Sequence, residues 1–167
     1  MDKSTYKEMS LCRLNLVPMC MDCNRPKSDN PYTDFINPYY FVNPGVEFFI
    51  CNIIIQNSDV VFYFSIKTNV LTPQQTTSLN NQISVIGLND RWEKAVISYL
   101  QEDIFSDKDT PQILIASLPS LIEKKERDLQ LFNHWKTAVL RGLNRVINGN
   151  TTIAKQILDA VNNKVYF

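Results

Sequence analysis

A chain of 167 residues with 44% hydrophobic and 20% charged residues has the make-up of an ordinary globular protein, not a disordered one. Its formal net charge of zero argues against a strongly basic nucleic-acid binder. Its glycines, Gly45, Gly87, Gly142 and Gly149, stand alone, which excludes Walker-type and Rossmann-type nucleotide loops. The charge is unevenly spread: residues 120–167 carry eight Lys/Arg against four Asp/Glu, and residues 89–109 carry three against six. That polarity can orient a partner.

Residues 1–10 are polar and form no signal-like apolar region, and no run reaches the ~18 apolar residues of a membrane span. The expectation is a protein inside the cell, cytoplasmic or nuclear, with no membrane span. The Asn150-Thr151-Thr152 sequon then meets no glycosylation machinery. Four cysteines in a chain of this length do not form a disulfide scaffold.

In chain order, residues 1–17 allow either a short helix through Leu11 and Leu14 or a strand at Leu14-Asn15-Leu16. Residues 18–45 hold five of the eight prolines and three Asn-Pro steps, at Asn30-Pro31, Asn37-Pro38 and Asn43-Pro44. Each step favours a turn, because proline fixes φ and drives the residue before it out of the helical region. Tyr32, Phe35, Ile36, Tyr39, Tyr40 and Phe41 lie between them. The segment reads as an irregular arm that buries its rings or offers them to a partner.

Residues 46–56 and 60–68 are β-branched and aromatic runs joined at Gln56-Asn57-Ser58-Asp59, the pattern of an antiparallel hairpin. Alternation sets Val60, Phe62, Phe64 and Ile66 on one face and Val61, Tyr63, Ser65 and Lys67 on the other. Phe49, Cys51, Ile53 and Ile55 share a face of the first strand, and its other face is also partly apolar. A lone hairpin is not stable in water, so helices must cover it.

Thr72-Pro73-Gln74-Gln75 is a capping box opening a helix over 73–86, which Gly87 stops. Asp90 with Glu93 starts a second over 91–101, and 102–109 is an acidic loop. Residues 112–117 fit a strand or a helix capped at Thr110-Pro111. Ser120 with Glu123 opens a long helix over 121–148, with Leu129, Phe132, Trp135, Val139, Leu143 and Val146 as its stripe. Asn148-Gly149-Asn150 ends it, and a last helix covers 152–162. The expected fold is α+β: a small antiparallel sheet centred on the hairpin, packed against four to five helices in a single domain over 1–167.

Cys20-Met21-Asp22-Cys23 has the spacing of a zinc-ligand pair, with Cys12 before it and Cys51 or His134 as a fourth ligand. No second close ligand pair accompanies it, so no cofactor is the main expectation and zinc the alternative. Asn37-Pro38-Tyr39-Tyr40 matches an Asn-Pro-x-Tyr turn but runs straight into a strand. His134, the sole histidine, has no nucleophile motif around it. Glu102, Asp103, Asp107 and Asp109 lack the spacing of a calcium loop.

Without a convergent catalytic set, the expectation is a non-enzymatic protein–protein interaction module, a subunit or adaptor of a larger assembly, cellular or viral. Its partner is another protein or a second copy. Tyr32, Phe35, Tyr39, Tyr40 and Phe41 are the candidate anchors, since aromatics dominate interface energetics. The alternative is nucleic-acid binding through a basic helix face of Lys124, Lys125, Lys136, Arg141 and Arg145, with Arg127 nearby and Tyr63 stacking a base. Gly142 inside a helix marks the close approach of another backbone.

Overall fold

The computed structural model describes residues 46–57, 59–105, 110–129 and 133–164. The chain divides into two compact units, Met1–Pro44 with Thr68–Asn89, and Gly45–Lys67 with Asp90–Phe167. The arm at 18–45, with its Asn-Pro-x-Tyr turn, and Cys12, Cys20 and Cys23 lie outside the described residues.

The fold is α+β. Strands β1 (Phe49–Gln56) and β2 (Asp59–Ile66) form an antiparallel two-stranded sheet. Phe49 pairs with Ile66 and Gln56 with Asp59, and Asn57, just past β1, takes a left-handed φ of 47°. Asparagine tolerates that conformation better than most residues, which suits it to the turn. The alternation expected of β2 holds: Val60, Phe62 and Phe64 are buried, and Val61 and Tyr63 exposed. β1 starts at Phe49 rather than 46, so Val46 and Glu47 lead into the strand.

Among the described residues five α-helices follow. In the first unit, α1 (Pro73–Ile86) has the expected bounds, with Thr72 and Gln75 closing a reciprocal capping box and Gly87 capping its end in the left-handed region. The next helix, α2 (Leu88–Tyr99), starts immediately, two residues before Asp90. It continues into a π-helical turn, Leu100–Ile104, where Phe105 N–H reaches the Leu100 carbonyl at 2.6 Å. Glu102 and Asp103, expected in a loop, therefore sit on that turn.

Residues 112–117 are helical: α3 (Pro111–Leu129) begins at Thr110, whose hydroxyl accepts from Ile113 N–H. Ser120, expected as a cap, lies inside α3, and its hydroxyl donates to the Ser117 carbonyl. Pro119 is also inside, where it has no N–H to give the preceding turn. The expected continuous helix over 121–148 is instead two. α3 ends at Leu129, and α4 (Trp135–Ile147) begins after His134, which takes extended backbone angles and accepts at Nδ1 from Lys136 N–H.

A long-range contact stands beside the break. Asn133 Oδ1 accepts from Phe48 N–H and Phe49 N–H at 2.9 and 3.2 Å, and its Nδ2 donates to the Val46 carbonyl. One side chain thus serves as the missing partner for the entry to β1. At the other end of α4, Asn148 and Gly149 adopt left-handed angles, and Asn150 accepts from Thr152 and Ile153 N–H to start α5 (Thr151–Asn162).

The second unit is built on the buried sheet face. Phe49 stacks on Phe64 at 5.1 Å between centroids, and Trp92 of α2 meets both rings edge-on. α4 lies along β1 so closely that a Cβ on Gly142 would stand 2.6 Å from the Cys51 carbonyl oxygen, the backbone approach that a glycine within a helix suggests. Val139, Leu140 and Leu143 of α4 and Ile157 and Val161 of α5 are fully buried, each worth about 1.5–3 kcal/mol relative to exposure. Arg141 bridges back to Glu126 on α3, its Nε donating at 3.1 Å.

Candidate functional site

Two surfaces of the second unit carry unusual groups. One is the outer face of the hairpin. Ile54 pairs directly with Val61, and Asn52 pairs with Tyr63. Ile54, Val61 and Tyr63 are 38%, 37% and 41% exposed, values high enough to leave one contiguous apolar strip uncovered. Asn52 Nδ2 donates to Ser65 Oγ at 2.8 Å, so the strip has an ordered polar margin.

The edges of the same sheet are engaged in part. Lys67 N–H bonds to the Phe48 carbonyl, so antiparallel alternation turns the backbone groups of 49, 51, 53, 55, 60, 62, 64 and 66 outward. Of these, Phe49 N–H goes to Asn133, and the Cys51 carbonyl accepts from Arg145 at 3.4 Å. The Val60 carbonyl accepts from Lys164 Nζ at 2.8 Å, and Val60 N–H donates to Asp59. Arg145 is fixed by Glu47, and Lys164 by Glu93 and Asp59. Unpaired strand edges invite pairing with another chain, and Asn133, Asp59, Arg145 and Lys164 cover part of these.

The second surface surrounds Tyr99, at the junction of α2 and its π-helical turn. Trp135 meets the Tyr99 ring edge-on at 5.5 Å, and His134 stacks on Trp135 at 5.9 Å. Lys136 Nζ stands 4.6 Å from the Tyr99 centroid and 5.6 Å from that of Trp135, and Lys125 Nζ stands 5.8 Å from the Tyr99 centroid. Asp103 on the turn pairs with Lys136 at 3.3 Å, while Lys125 has no acidic partner among the described residues. Burial raises the Tyr99 phenol above its ordinary pKa, reinforced by Asp103. Burial lowers His134, reinforced by Lys136 and Lys125. Tyr99 Oη and Thr137 Oγ1 are buried with no hydrogen-bond partner among the described residues.

The basic residues expected to form one face thus fall into two groups. Lys125 and Lys136 converge on Tyr99, with Lys124 exposed beside them on α3. Arg141 and Arg145, one turn apart on α4, bind Glu126 and Glu47. Cys51 lies buried on the inner sheet face, its thiol pushed up to about 12 by burial against the opposing charge of Arg145. His134 is a helix cap whose Nδ1 already accepts a hydrogen bond, not a residue within a helix. Among the described residues no cluster of three metal-ligating side chains occurs, and no helix is long and apolar enough to cross a membrane.

Two residues at these surfaces carry more than their sequence pattern suggested. Trp135 has the spacing of a core stripe yet stays half-exposed, and Ile54 lies on the face that helices leave uncovered. The one sequence signal for the first is the triplet His134-Trp135-Lys136, which puts two rings and a charge in succession. No protein-family model, curated protein or solved structure matches the chain.

Proposed function

We propose that the protein is a non-enzymatic interaction module, a subunit or adaptor of a larger assembly, and that a partner protein lies across the outer face of the hairpin. The observation that carries this reading is the exposed strip of Ile54, Val61 and Tyr63 on a sheet whose other face is packed. An apolar strip with a polar margin resembles the core and rim of a protein interface. The blunted edges favour a partner on the face over one that adds a strand. The aromatic arm, with Tyr39 and Tyr40, stands as a second source of anchors in this proposal.

Capture of the tagged protein from its native cells, with and without nuclease, tests the reading when run beside Val61→Glu. Val61 is exposed, so the variant should melt within a few degrees of the parent. The expected result is a stoichiometric protein that survives nuclease and is lost from Val61→Glu. Capture unchanged by the substitution, or only nuclease-sensitive material, would overturn the proposal.

A further inference from the structure

We propose that the Tyr99 cluster is a binding site for single-stranded nucleic acid, with a phosphate between Lys125 and Lys136 and a base against the His134–Trp135 stack. This goes beyond the interaction surface on the hairpin and involves none of its residues.

Two observations converge on that ligand. First, α3 and α4 each bring one ammonium group to the same tyrosine ring, and Asp103 balances only the one on Lys136. The cluster is therefore cationic within a chain whose net charge is zero. Lys124, exposed one residue before Lys125, extends the positive charge along α3. Second, the rings are arranged for stacking: His134 and Trp135 lie within 29° of parallel and both are half-exposed, so a flat base can continue the stack. A base inside a duplex offers no such face, which is why the site suits an unpaired strand.

No glycine-rich loop takes part, so the composition that excludes Walker and Rossmann sites does not bear on this one. The π-helical turn fits too, since such turns recur at functional sites.

The test is fluorescence anisotropy of the full chain with a labelled oligothymidylate about ten nucleotides long, within the span of single-strand sites. Parallel arms use a duplex of equal length and thymidine monophosphate. The expected result is saturable binding that weakens with salt and favours the single strand. It should fall by at least about tenfold in Lys125→Gln and recover in Lys125→Arg, as loss of one charge-assisted contact implies. Ultraviolet crosslinking of the same oligomer to the parent chain, read by mass spectrometry, needs no variant and should mark Tyr99, His134 or Trp135. Four results would each overturn the proposal: no saturable binding, equal binding by a folded Lys125→Gln, monophosphate binding as tight as the oligomer, or crosslinks confined to other residues.

Discussion

At the scale of single residues, Gly142 and His134 do more than their exposure suggests. Alanine in place of glycine inside a helix ordinarily stabilises by about 1 kcal/mol. At Gly142 the sign reverses, because the new methyl meets backbone, the Cys51 carbonyl, which cannot swing aside. Gly142→Ala should cost about 1–3 kcal/mol, as overpacking does, visible as a lower melting temperature. His134 predicts a pH dependence. Its cap needs an unprotonated Nδ1, and burial with the two lysines holds its pKa below the ordinary value near 6.5. As pH falls the unfolded chain takes up the proton first, so the stability His134 contributes is complete above about 6.5 and lost as pH drops toward the lowered folded value. His134→Asn keeps a cap but cannot titrate there. The gap in melting temperature between pH 8 and pH 5.5 should be smaller in that variant; an equal gap would assign the dependence elsewhere.

At the scale of elements, what was legible in the sequence was local. Thr72 and Gln75 lie three residues apart, and the alternation of β2 needs only its own residues, so the start of α1 and the buried face of the sheet could be read directly. The division of α3 from α4 could not, because the contact beside it spans 84 residues: Asn133 accepts from the Phe49 N–H. Apolar spacing runs through that break as if it were absent. Ser120 with Glu123 misled in the opposite sense, suggesting a start where α3 is already under way. The basic site suffered accordingly: the lysines of α3 and α4 read as one straight face, whereas Lys125 and Lys136 converge on Tyr99 and Arg141 binds Glu126. Asn133→Ala removes three hydrogen bonds from residues 46–49 and should destabilise by about 1–3 kcal/mol. Faster amide exchange at Phe48 and Phe49 would separate this cause from a general loss of stability.

At the scale of the whole molecule, the long-range side-chain contacts to the hairpin edges come from late in the chain. Asn133, Arg145 and Lys164 reach back across 84 to 104 residues to engage β1 and β2. The strands themselves are complete by residue 66. During synthesis at roughly 5–20 residues per second, the sheet therefore emerges several seconds before its covers exist. Through that interval its outward backbone groups and its phenylalanine-rich inner face are both open. The mature protein covers part of its strand edges, but the nascent chain exposes them whole, and that window is when a holding chaperone or an early-binding partner has the most to protect.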